Sequence, residues 1–229
     1  MAHTRDRLCR VSPVHGGADQ NGGSATSTDS TRRRAIAVAR QLAVEGVTGT
    51  VRMRDVARVS GVPEHELYRH FSSRDHLMVL AQQDWIRDAL ERDPLPDGDG
   101  LDGGDRVAEV IHRSLMATAA APRFVTAVLA SQSSVDPAVR CAHQTSNREV
   151  ARILREAVGP ELVEVDTYIE LLGVAWLGVL SAWSLGNMTI EQADEVAQRT
   201  ARLLYRSLLM EQQGADEPSG PRSGPGSAA

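Results

Sequence analysis

Apolar positions recur at helical spacing through most of the chain, and no strand-like alternation is sustained. Ile36, Ala39, Leu42 and Ala43 share one face of a first helix. The pattern starts that helix after Ser30, an N-cap residue type, and stops it at Gly46. A short second helix covers about residues 53–59, with Val56 and Ala57 inward. SGV at 60–62 reads as a tight turn. A third short helix starts at Pro63, a residue suited to a first helical position, and ends near His70. Ser73 is placed to cap a fourth helix, whose Leu77, Leu80, Ala81 and Trp85 line one face. DPLPDGDGLDGGD, residues 93–105, breaks the chain. Further helices fit 105–120, 122–131, 136–158, 163–186 and 190–212, the last opened by Thr189 and Gln192 at capping-box spacing. The expected fold is all-α with about nine helices. Residues 1–29 and 213–229 lack periodicity and are expected to be disordered.

Composition supports that reading. The chain has 229 residues, enough for one or two domains, with 41% hydrophobic but only 3% aromatic residues. Its core must therefore be built from Ala, Leu, Val and Ile, and Ala and Leu favour helix. All 25 basic residues are Arg. Charge is uneven: residues 31–76 hold nine Arg against Glu45, Asp55, Glu64, Glu66 and Asp75, a net +4, so the overall −5 leaves −9 elsewhere. A basic segment on an acidic body points to one polyanion-binding region. Cys9 and Cys141 form no disulfide framework, which fits a reducing cytoplasm. No apolar run follows Arg5, Arg7 and Arg10, so no secretory signal is expected. The longest near-apolar run, 15 residues from Leu171, suits a buried core helix better than a membrane span.

Two short helices meeting at a Gly turn are the mark of a helix-turn-helix, here about residues 52–71. The second helix of such a unit enters the major groove and shows its first residues to base edges. Gly61 suits the left-handed turn, and Val62 and Leu67 set the crossing. Pro63, Glu64, His65, Glu66, Tyr68 and Arg69 are left facing outward or sideways. The same stretch contains HELYRH, one residue longer than a zinc-protease signature. His65 and His70 lie five apart, about 140° round the helix, so they cannot share a metal on one face. No nucleophile elbow, phosphate loop or dinucleotide motif occurs. Neither catalysis nor a cofactor is expected.

AIAVARQLAVEGVTG, MRDVARVSGV and LYRHFSSRDHL, within about 31–77, resemble the TetR-type transcriptional regulators, with that family's spacing throughout. Downstream the match is to helix layout only, although Phe124 to Leu204 is similar to the family's repressors of sterol and lipid catabolism. The resemblance implies that Tyr68 and His70 touch phosphates and that Arg74 does so from the start of helix four. Arg52 stands where the family usually has a capping Thr; losing the cap costs about 1 kcal/mol, while Arg can gain a phosphate. Arg32, Arg33 and Arg34, in the expected first turn of helix one, oppose the helix dipole, which hints at phosphate backing. Arg33, Arg34, Arg54, Arg69 and His70 join the candidate DNA-binding set. Where the family often has Ser, then Gly-Thr, this chain has Pro63, then His65 and Glu66. Glu64 and Glu66 either stabilise the helix N-terminus or accept from a cytosine amino group.

The expected organisation is a DNA-binding head at 30–76 and a helical effector-binding and dimerisation domain at 77–212. Palindromic half-sites require two heads, hence a homodimer. The last two helices are apolar over much of their circumference, and Leu180, Trp183, Ala197, Leu204 and Leu208 are candidate interface residues. Trp85, Leu115, Met116, Phe124, Val128, Leu129, His143 and Trp176 are candidate effector-pocket residues. His143, on the polar HQTSN stretch, is expected to face solvent rather than ligand. Arg123 is the only charge in 114–131, which favours an apolar or amphipathic effector such as a lipid, acyl-CoA, sterol or drug-like molecule. The expected function is that of a cytoplasmic, ligand-responsive repressor on a palindromic operator. The rival reading is a helical interaction protein with a vestigial head.

Overall fold

The computed structural model describes residues 22–45, 51–92 and 100–216. Nine helices and no strand occur among them: α1 (Gly22–Glu45), α2 (Met53–Ser60), α3 (Glu64–His70), α4 (Arg74–Arg92), α5 (Gly103–Ala119), α6 (Pro122–Ser131), α7 (Pro137–Val158), α8 (Val165–Ser184) and α9 (Ile190–Asp216). The fold is all-α.

Several helix ends differ from the sequence reading. α1 begins at Gly22, so Ser30 lies inside it and is not a cap, and residues 22–29 are helix rather than disordered arm. An exposed Asp29–Arg33 ion pair at 3.1 Å spans the turn that contains Ser30 and adds roughly a few tenths of a kcal/mol to the helix there. Arg32, Arg33 and Arg34 therefore sit about three turns into the helix, beyond reach of its N-terminal dipole. Pro63 takes the cap position of α3, one residue before the helix. α9 continues four residues past 212, to Asp216, into the expected tail. Residues 1–21, Gly46, 93–99 and 217–229 lie outside the described residues. Other signals act as read. Thr189 and Gln192 form a reciprocal capping box, with Thr189 N–H donating to Gln192 Oε1 at 2.9 Å and Gln192 N–H to Thr189 Oγ1 at 3.3 Å. Ser73 Oγ accepts from His76 N–H at 3.2 Å at the start of α4.

Two hydrophobic clusters organise the chain. The first joins α1 (Ala35, Ile36, Ala39), α2 (Val56), α3 (Leu67, Phe71) and α4 (Leu77, Met78, Ala81) and is closed by Phe124 and Val128 of α6. The second joins Val107, Ile111 and Leu115 of α5, Ile153 and Val158 of α7, Tyr168, Leu172 and Val179 of α8, and α9. The inward stripe of α9 is Ala193, Ala197, Ala201 and Tyr205, one residue per turn. Its small side chains let α5 and α8 come close. Tyr168, fully buried, donates to the Ala201 carbonyl at 3.1 Å and meets Tyr205 edge-on at 6.2 Å.

Gly103 and Gly104, read from sequence as part of a break, are the first residues of α5. Asp102 caps the helix by accepting from Asp105 N–H at 2.8 Å. Both glycines are buried beneath Tyr205, and a Cβ on Gly103 would lie 2.3 Å from the Val158 carbonyl oxygen and 2.8 Å from the Tyr205 ring. They are there because three chain segments converge, not because the chain turns. Gly103→Ala is expected to lower stability by about 1–3 kcal/mol in urea unfolding. An unchanged midpoint would show that this junction has room to spare.

Candidate functional site

The α2–α3 unit is held by its interior. Gly61 closes α2 in the left-handed conformation, at φ 69°. Ser60 Oγ, buried in the turn, accepts from Val62 N–H at 3.2 Å. Val56, Val62, Leu67 and Phe71 then pack inward with almost no exposure. That packing fixes what faces out. Pro63, Glu64, His65, Tyr68 and Arg69 are exposed and Glu66 is half-buried, while His70 lies half-buried with its ring 6.1 Å from Phe71. Tyr68 keeps 52% of its surface in solvent, high for a Tyr. Arg52 occupies the α2 cap position with no side-chain cap bond. It is exposed along with Arg54, Arg58 and, on α1, Arg34.

Two arginines of the expected DNA-binding set have protein partners. Arg74 donates from Nε to the Val51 carbonyl at 2.7 Å and pairs with Asp75 at 3.1 Å, tying the start of α4 to the entry of α2. Arg33 pairs with Asp29, both well exposed. Among the described residues, no group of three or more His, Cys, Asp or Glu side chains is placed to hold a metal ion.

A cavity of about 680 Å³ lies between α4, α6, α7 and α8. Trp85, Phe124, Val128, Leu129, Leu154 and Trp176 give it apolar walls, and Gly173 of α8 borders it with open space where a Cβ would be. Trp85 and Phe124 stack tilted at 5.2 Å. Trp85, Val150 and Leu154 also border a second cavity of about 340 Å³ between α4, α5 and α7. Of the eight expected pocket residues, Leu115 and Met116 are elsewhere: Leu115 is fully buried in the second cluster, and Met116 is exposed beside α9. From α5 only Thr118 reaches the cavity.

His143 corrects a second expectation. It is buried and lines the cavity rather than facing solvent. Its Nε2 lies 3.0 Å from Ser131 Oγ, and its Nδ1 3.5 Å from the Gln132 amide nitrogen. Burial pushes its pKa down, partly opposed by a bond to the Ser131 backbone and by the charge of Asp75. The polar HQTSN stretch hid this because α7 turns one polar side, His143 and Ser146, onto the cavity.

A carboxylate that the sequence reading passed over joins head to cavity. Asp136 caps α7 through Oδ1, which accepts from Ala138 N–H at 2.9 Å. Its Oδ2 accepts from Ser72 Oγ at 2.6 Å and Ser73 Oγ at 3.0 Å, in the loop between α3 and α4. These hydroxyl bonds, Ser72 foremost, lower the Asp136 pKa, while burial lowers that of the neighbouring His76. Val79 of α4 packs on Val139 and Ala142 of α7, and Gln83 donates to the Ala142 carbonyl at 2.6 Å. The available signal was Asp-Pro at 136–137, a cap followed by a first-turn proline.

The expected interface residues divide. Leu180 and Ala197 are buried in their own core, and Trp183, Leu204 and Leu208 are half-buried against it. The large apolar residues that α8 and α9 leave exposed are instead Leu171, Val174, Leu177, Val196, Leu203 and Met210, with Val174 at 75% and Leu203 at 57%. The two faces of each helix are both apolar, and spacing alone assigns neither to the core. α8 is also long and apolar enough to cross a membrane, with only 22% of its most apolar window buried.

No family model and no curated protein matches the chain. Solved structures do. A TetR transcriptional regulator from Rhodococcus sp. RHA1 is similar with a TM-score of 0.66 at 27% identity, over 77% of this chain and 96% of that one. A TetR-family regulator from Rhodococcus sp. shares the fold at 0.52 and 19% identity, over 77% and 99%. Neither likeness singles out the sterol- and lipid-catabolism group. With a solved structure matched almost end to end and a helix-turn-helix built around LYRHF, this chain has the fold of the TetR-type transcriptional regulators and resembles them.

Proposed function

We propose that the protein is a homodimeric, DNA-binding repressor released from a palindromic operator by a small apolar or amphipathic effector held between α4 and α8. The observation that carries this reading is that α6 and α7 each touch both working parts. α6 gives Phe124 and Val128 to the core of the head and to the cavity wall. α7 gives His143 and Leu154 to the cavity, while its cap, Asp136, holds the loop behind α3. An occupant that shifts either helix must therefore shift α3. It need favour the released state over the bound one by only a few kcal/mol.

In this reading Tyr68, Arg34, Arg52, Arg54 and Arg69 meet phosphates, and Glu64, His65 and Glu66 face base edges. Arg74 and Arg33 position the helices. Two heads one DNA turn apart need a two-fold dimer, and the exposed stripe of α8 and α9 is a self-complementary face for one. That face also accounts for the apolar outside of α8 without a membrane, in keeping with work in the cytoplasm. The acids at the start of α3 and its uncapped neighbour favour the rival reading of a vestigial head, which the first experiment decides.

In footprinting on DNA flanking its own gene at low salt, the protein is expected to protect a palindrome. Arg54→Ala with Arg69→Ala is expected to weaken binding to any duplex and to reduce the log–log salt slope by up to about 2. Absence of protection removes the repressor reading, and an unchanged slope moves the interface to another surface. By light scattering, the wild type is expected to be a dimer and Val174→Arg a monomer; a monomeric wild type excludes the two-fold mechanism. Asp136→Ala is expected to speed hydrogen exchange in 64–71 while sparing α9. Exchange unchanged in α3 would show that the link from α7 does not restrain the head.

A further inference from the structure

The cavity wall contains one polar spot whose hydrogen-bond directions can be worked out. Ser131 Oγ donates its single proton to the Val128 carbonyl at 2.6 Å. It can then only accept from His143, 3.0 Å away, so His143 Nε2 carries a proton. A neutral imidazole protonated at Nε2 has a bare lone pair at Nδ1. Nδ1 is paired with the Gln132 amide nitrogen, a donor at 3.5 Å, the far limit of a hydrogen bond. A weakly satisfied acceptor thus sits beside a donor, close in the cavity lining to the apolar side chains of Phe124, Val128 and Trp176.

We infer that the cavity selects an uncharged apolar molecule bearing a hydroxyl group, which donates to His143 Nδ1 and accepts from the Gln132 amide. This rests on the reading of the cavity as the effector site and names the class of effector. A hydroxyl is the smallest group that both donates and accepts, so it completes both bonds at once. An ether offers only an acceptor and leaves Nδ1 bare. A carboxylate would set its charge against the Nδ1 lone pair. Protonating His143 would relieve that clash, but burial lowers the ring's pKa and works against it. The two cations of the lining, Arg148 and Arg155, do not redirect the choice, because two acids of the same lining offset them: Arg155 is bound to Asp166 at 2.6 Å, and Glu170 is the second acid. The volume suits a molecule of lipid-fragment or drug size.

The test uses three probes of equal chain length on the full-length protein: decan-1-ol, its methyl ether and decanoate. Binding is read from the fluorescence of Trp85 and Trp176, which line the cavity. In the wild type the alcohol is expected to bind roughly 3- to 10-fold tighter than the ether, with decanoate weaker than the alcohol. His143→Phe is expected to bring alcohol and ether within about twofold of each other, with circular dichroism confirming its helical content. Equal affinity of alcohol and ether in the wild type, or tightest binding of decanoate, overturns the inference while leaving an apolar effector site. A preference that survives in His143→Phe overturns the assignment to this residue. If no probe binds, the effector reading of the cavity fails, and the inference with it. The wild-type comparison needs no variant, so it stands even if His143→Phe fails to fold.

Discussion

Phe124 is the residue on which the two halves of the molecule meet. It has no solvent exposure, and it packs at once among the side chains of α1 to α4 and against Trp85 at the cavity. Burying a side chain of this size stabilises a fold by about 1.5–3 kcal/mol, and here that contribution is shared between the DNA-reading head and the pocket wall. Close packing leaves little slack around it, so a movement at the wall is passed on rather than absorbed. The head has no closed core of its own: α1, α2 and α3 enclose an interior that α4 and α6 complete. The proposed coupling between cavity and head rests on how the core is partitioned, with Asp136 and the Val79–Val139 contact as a second connection on the side of α7.

The body is built on a different economy. α9 presents one small or aromatic residue per turn to its own domain, and two adjoining glycines of α5 lie under Tyr205. This close approach uses little of the apolar surface of α8 and α9. Leu171, Val174, Leu177, Val196 and Leu203 are left exposed.

Much of this was legible in the sequence where local chemistry decides structure. Gly61, Val62 and Leu67 specified the turn between α2 and α3. The Thr189–Gln192 box set the start of α9, and proline at 122 and 137 marked the first turns of α6 and α7. What failed depended on distant partners. Ser30 is an exception, a good cap residue that the helix simply runs through from Gly22. Gly103 and Gly104 look like breakers until Tyr205, about a hundred residues later, is seen to cover them. Leu180 and Ala197 lie on apolar faces as expected, yet those faces turn inward; helical period shows that a face is apolar without showing what covers it. His143 was misplaced for the converse reason, since a polar stretch can line a cavity as well as a surface. Glu64, His65 and Glu66 have emerged exposed or half-buried at the start of α3, where the resemblance put them.

Gly173 bears on how such a protein can change its specificity. Altering Phe124 to reshape the cavity would disturb the head, and altering His143 would disturb the bonds to Ser131 and Gln132. Gly173 borders the same space from α8, with nothing within 4 Å of where a Cβ would stand. Replacing glycine in the middle of a helix with a residue that has a side chain improves helix propensity by up to about 1 kcal/mol. The pocket can therefore be narrowed there one atom at a time without loss of folding stability. Gly173 is exposed on the same side of α8 as Val174 and Leu177, so a side chain there would also border the apolar stripe proposed for dimerisation.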